Sequence, residues 1–225
     1  MRTPATRIRW TLGVMAGVAL YSLSARATQL DQLSTLNVQT TIDAAVWSSG
    51  NDIGGTTLVD DSAQIWCSSE SNVAGTVQIR VVRSSQTNYI HYYWRISQVN
   101  TNFVVERLTI GNFGSGWLDA HYRPDGIGDN LVRMYGANRA PDGNIDLFFR
   151  NLTESPPRLG VYAGQSSKFA LLKSFNTNYH QVTRTQSMMP PGNDRLQAVV
   201  LINGSPAVCE VGNSSTPFAP VYVPG

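Results

Sequence analysis

The residues that most often announce chemistry are scarce in this chain. Histidine occurs three times, at His91, His121 and His180, and cysteine twice, at Cys67 and Cys209, with no close pairing of either kind. That spacing argues against a metal centre, whose ligands normally arrive as short paired motifs. There is no Gly-x-Ser-x-Gly elbow, no Gly-Lys-Ser/Thr phosphate loop and no glycine fingerprint of a dinucleotide fold, so no cofactor is implied. Lysine is confined to Lys168 and Lys173. No second long apolar run follows the one near the N-terminus, so the mature chain is expected to lack a transmembrane anchor.

The first apolar run reads as an export signal. Arg2, Arg7 and Arg9 precede an uncharged stretch from Trp10 to Ala25, and Ala25-Arg26-Ala27 has the small-x-small form of a signal-peptidase site. Residues 1–27 are therefore expected to be cleaved after Ala27, leaving a secreted or periplasmic protein. Cleavage removes four arginines and no acids, which takes the 17 basic side chains to 13 against 15 acidic ones. The basic balance belongs to the leader. Nucleic acid, which calls for a net basic face, is accordingly not an expected partner.

In an oxidising compartment the two cysteines are expected to form one disulfide, Cys67 to Cys209. Closing so long a loop contributes on the order of 5 kcal/mol by loss of unfolded-chain entropy.

What the chain has in abundance is strand pattern. In residues 88–97, Ile90, Tyr92, Trp94 and Ile96 alternate with Tyr89, His91, Tyr93 and Arg95, which gives one apolar face and one aromatic and polar face. Val77, Ile79 and Val81 alternate in the same way. Pro124-Asp125-Gly126 and Pro141-Asp142-Gly143 mark turns on either side of strands at Leu131 to Tyr135 and Ile145 to Arg150. Asn203-Gly204 joins LQAVVLI to SPAVCEV as a tight hairpin, because Asn-Gly supplies positive φ at both turn positions. Leu36 to Trp47 and Phe169 to Phe175 are ambiguous between strand and helix. The sum predicts an all-β fold, an antiparallel β-sandwich or barrel forming a single domain over 28–211, with an extended, irregular C-terminal tail over 212–225.

Phe103 to Ile110 and Trp117 to Arg123 are predicted to pair across Gly111 to Ser115. Leu108 would face Leu118 and Arg107 would face Asp119, with Val104, Leu108 and Ile110 on the core side. This register leaves Glu106 on the apolar face, as an edge charge or a carboxylate held for use. Asp142, Asn144 and Asp146 resemble the start of a calcium loop, but Leu147 stands where glycine is needed, so a hairpin turn is expected and no metal.

The candidate ligand-binding set is Tyr89, His91, Tyr93 and Arg95 together with Trp117, Asp119 and His121, since exposed aromatic rings suit sugar faces and polar groups suit hydroxyls. The functional expectation is an exported binding module for an extracellular glycan or an envelope or host protein. One alternative is a secreted hydrolase using His121 with Asp119 or Glu106 as acid and base. The other is a structural subunit of a surface assembly, held by strand edges and the tail.

Overall fold

In the computed structural model the described residues are 28–30, 54–114, 118–123, 132–140, 142–152, 155–182, 195–212, 219 and 221–225. The leader, Leu36 to Trp47 and Trp117 lie outside them. Every regular element among them is a strand. In chain order these are β1 (Thr28–Leu30), β2 (Gly55–Cys67), β3 (Asn72–Ser84), β4 (Ile90–Ser97), β5 (Phe103–Ile110), β6 (Leu118–Tyr122) and β7 (Val132–Arg139). There follow β8 (Ile145–Asn151), β9 (Arg158–Leu159), β10 (Ala170–Ser174), β11 (Tyr179–Val182), β12 (Leu196–Ile202), β13 (Ser205–Gly212) and β14 (Val221–Pro224). The ambiguous stretch Phe169 to Phe175 is thus the strand β10.

One antiparallel sheet runs β1-β6-β10-β4-β3-β2-β13-β12-β5-β8-β7, with β9 added beside β8. It curls until its two ends meet, nearly closing a barrel. At the seam Arg133 Nη1 of β7 donates to the Tyr122 hydroxyl of β6 at 2.7 Å. The alternation in β4 explains the curl: Ile90, Tyr92, Trp94 and Ile96 are all buried in one central core, where Val77, Ile79 and Val81 of β3 join them. At roughly 25 cal/mol per Å² of apolar surface removed from water, this interior is the main source of stability.

Asn203 and Gly204 have φ of 51° and 84°, and the hairpin they close pairs Ile202 with Ser205 through Gln197 with Glu210. Cys67 and Cys209 are joined, with Cα atoms 4.5 Å apart. The bond extends by one position the short β2–β13 pairing that ends at Trp66 and Glu210.

The predicted pairing of Phe103–Ile110 with the strand after it does not occur. β5 lies between β12 and β8, with Leu108 opposite Ala198 and Leu147, whereas β6 lies between β10 and β1. Leu108 and Leu118 both face the core as expected, but from different walls. The reason is Phe113: this side chain in the supposed hairpin loop is fully buried, edge-on to Tyr92 at 4.9 Å and Trp94 at 5.9 Å. A chain that buries that ring against β4 is led away from a turn back along β5. Arg107 consequently meets Asp146, with Nη1 to Oδ2 at 3.4 Å, and Asp119 faces Lys173.

Glu106 is resolved by a second departure. The β5–β12 register shifts between Val199 and Val200, opposite Arg107 and Val105, so Glu106 is the extra residue of a β-bulge. The bulge sends Val105 into the core in place of Val104 and leaves Glu106 half-exposed. The residues from Asp142 form a plain turn, in which Asp142 accepts from the Asn144 backbone and side-chain amides at 3.1 and 2.8 Å. Within the stretch expected as a tail, Val221–Pro224 form β14, which pairs with β11, and Val221, Tyr222 and Val223 are buried in the main core. No described helix is long and apolar enough to cross a membrane.

Candidate functional site

The outward face of β4 carries four of the expected ligand-binding residues, and two of them are covered. His91 and Tyr93 are each 1% exposed. Tyr93 packs with Val82, Phe169 and Leu171 in a second, smaller apolar cluster, its ring edge-on to Phe169 at 6.0 Å. Arg80 and Arg95 lie over the Phe169 ring at 5.1 and 5.6 Å, and Arg123 lies over Tyr93 at 6.0 Å. Arg80 also donates to Asp60 Oδ2 at 2.6 Å, while Gln78 donates to Oδ1 at 2.6 Å. Burial alone raises the Asp60 pKa, but these hydrogen bonds and the two guanidinium charges bring it below the usual carboxylate value. Burial and the like charge of Arg80 lower the Arg95 pKa. Tyr89 is half-buried at the end of the strand, 5.6 Å from the ring of Phe175.

β6 and β10 bring together a titratable row on the same outward surface. Lys173 stands between Asp119 on one side and His91 on the other. His121 is two residues beyond Asp119, across from Leu171. Burial, then the charges of Lys173 and His91, take the His121 pKa down to about 4. Burial raises that of Asp119 against the pull of Lys173. Asp119 and His121 therefore share one face as predicted. Glu106 does not join them, because β5 pairs with β12 and β8 and not with β6.

Among the described residues a concave feature lies elsewhere, at one end of the barrel. It is a cleft of about 500 Å³ lined by Trp66 and by the turns joining β2 to β3, β4 to β5 and β12 to β13. Each turn takes an asparagine or serine into left-handed backbone: Ser71 at φ 51°, Asn102 at 74° and Asn203 at 51°, a conformation that asparagine tolerates better than most residues. Asn72, Asn100, Asn102 and Asn203 all line the space. Asn100 is fixed by donating Nδ2 to the Val73 carbonyl at 2.6 Å. Trp66 pairs with Val73 across β2 and β3, and Phe103 pairs with Ile202, so apolar surface adjoins the amides. Glu70 is the one ionisable side chain among the lining residues. The disulfide clamps Cys67, next to Trp66, to the strand leaving the Asn203 turn.

Chemically, a carboxamide offers both donors and an acceptor, so it can meet a hydroxyl in either role. A half-buried indole offers a flat apolar face. Sequence reasoning passed over this cleft because each asparagine there has a sufficient local explanation as a turn former. The available signal was Asn100-Thr101-Asn102 beside an Asn-Gly turn, in a chain whose disulfide brings Trp66 to that hairpin. Among the described residues no group of three metal-ligating side chains converges. Comparison with known proteins finds no matching family model, no similar curated protein and no similar solved structure. The fold and cleft define a class, a single-disulfide antiparallel β-barrel domain with an amide-rich end cleft.

Proposed function

We propose that the chain is an exported binding module that takes a neutral glycan in the end cleft. The observation that carries this reading is the lining: four asparagines together with Trp66, and only one charged side chain, Glu70. Uncharged polyhydroxylated ligands suit such a surface, since charged ligands would be desolvated there without a counter-charge. The burial of His91 and Tyr93 favours the cleft over the β4 face as the place where a sugar ring stacks. The hydrolase reading has less support, because His121 is buried outside the cleft lining and its low pKa makes it a weak base at neutral pH.

The test is calorimetric titration of the purified protein with a panel of neutral oligosaccharides. Trp66→Ala is expected to weaken binding roughly tenfold or more, in line with the loss of a buried aromatic anchor, while the circular dichroism spectrum stays unchanged. Absence of binding across the panel, or equal affinity in Trp66→Ala, overturns the reading.

A further inference from the structure

The outward surface of β7 and β8 carries an unusual pair of cations. Arg133 and Arg150 occupy directly opposed positions in the β7–β8 ladder. Opposed cross-strand residues have Cβ atoms about 5 Å apart, and like charges in that relation are destabilising. Three other barrel arginines are paired with acids: Arg80 with Asp60, Arg107 with Asp146 and Arg195 with Glu210. Among the described residues no carboxylate is ion-paired to Arg133 or Arg150.

The two guanidinium groups are instead held by rings. Arg150 lies over Tyr135 at 4.5 Å. Arg133 lies over Tyr122 at 4.8 Å and donates to its hydroxyl. Tyr135 reaches this position because the β7–β8 register shifts between Met134 and Gly136, making it the extra residue of a bulge, a device that re-aims a side chain. Arg150 Nε is buried and has no hydrogen-bond partner. Two cations at opposed ladder positions are thus each set on an aromatic support.

We infer that Arg133 and Arg150 together bind an oxyanion, a carboxylate or sulfate group carried on an acidic glycan. Paired guanidinium forks match the oxygens of either group, and the bound anion removes the repulsion between them. The choice of a glycan as carrier rests on the neutral-glycan reading of the cleft; the anion site itself does not. Both features lie toward the same end of the barrel, since β7 begins and β8 ends there, beside the turns that form the cleft. A polysaccharide with neutral and acidic units can engage both.

The experiment titrates the purified protein with oligogalacturonate, sulfated dextran oligomers, neutral dextran oligomers and poly-glutamate at low and high salt. The parent, Arg133→Gln, Arg150→Gln and Trp66→Ala are compared. Binding of either acidic glycan is expected to weaken with salt, to fall roughly tenfold or more in each arginine variant and to persist in Trp66→Ala. The oligogalacturonate and sulfated arms distinguish carboxylate from sulfate. The acidic glycans should also raise the melting temperature of the parent and not of Arg150→Gln. If Arg150→Gln fails to fold, Arg150→Lys, which keeps the charge without the fork, is expected to bind more weakly than the parent. Acidic-glycan binding that is absent, or unchanged in both arginine variants, overturns the site. Tighter binding of poly-glutamate with the same arginine dependence overturns the glycan carrier. The cleft reading is judged separately, by the neutral oligosaccharides and Trp66→Ala.

Discussion

The outward faces of β4 and of β8 are furnished with the same side chains, arginines laid over aromatic rings, and yet they serve the molecule differently. Around β4 the rings are sealed: Tyr93 is 1% exposed and Phe169 5%, and Arg80 is tied to Asp60. Around β8 the rings of Tyr135 and Phe148 are half-exposed, and Arg150 is supported by a ring alone. Residue type therefore does not separate a covered face from a more open one. What separates Tyr93 and Phe169 from Tyr135 and Phe148 is how far each ring is covered.

The comparison can be broken most forcefully at Tyr93. Replacing it by alanine is expected to cost about 3–5 kcal/mol, the range for emptying a buried aromatic site, as read from urea unfolding. Tyr135→Ala is expected to cost about 1 kcal/mol, since mainly the support for Arg150 is lost. Equal costs at the two positions would erase the distinction between the faces.

A second contrast lies in acid sensitivity. His121, on the covered face, has its pKa taken from 6.5 down to about 4 by burial first and by Lys173 and His91 next. Above about pH 6.5 the histidine is neutral in both folded and unfolded chains and carries no penalty. As pH falls from 6.5 toward 4 the unfolded chain binds a proton that the folded chain refuses, and stability declines by on the order of 3 kcal/mol. Unfolding curves at pH 7 and pH 4.5 should show the decline, and His121→Gln should reduce it. The row also contains Asp119, Lys173 and His91, so the variant tests His121 alone against that background.

Smaller effects sharpen the picture. Asp60→Asn removes the one acid paired to Arg80, but the carboxylate is well exposed, and its loss is expected to change stability by under about 1 kcal/mol. The Tyr92 hydroxyl is buried in the core with no hydrogen-bond partner, and burial together with the nearby Tyr179 raises its pKa. Tyr92→Phe is therefore expected to be neutral or to stabilise by up to about 1 kcal/mol, because it deletes an unsatisfied polar atom without changing the ring. A melting-temperature shift upward or near zero agrees with this, and a clear drop does not.

The features legible in advance were those with a local physical cause. Alternation alone identified the inward set Ile90, Tyr92, Trp94 and Ile96, the Asn-Gly pair identified its hairpin, and the presence of just two cysteines paired Cys67 with Cys209. The strand neighbours were not legible. Leu108 and Leu118 satisfy the core from opposite walls as well as from one hairpin, and only the burial of Phe113 decides between the two arrangements. The bulges at Glu106 and Tyr135 shift register by one residue, a change that leaves no mark in composition. For the cleft, four asparagines spread between positions 72 and 203 become neighbours only when three separate turns share one end of the barrel. The opposed pair Arg133 and Arg150 likewise exists only once β7 and β8 are aligned.

The place of the β12–β13 hairpin in the sheet sets the order in which the molecule can be assembled. It stands between β5 and β2, two strands made long before it, so the first two thirds of the chain can form only partial sheets with unsatisfied edges. Loop closure over such sequence distances slows folding, and open edges invite pairing with other chains in the meantime. The Asn203-Gly204 turn is thus expected to matter for folding rate as well as for the finished hairpin. By bringing residues 196–212 together quickly as a preformed two-strand insert, it shortens the interval in which the unfinished barrel is vulnerable to aggregation.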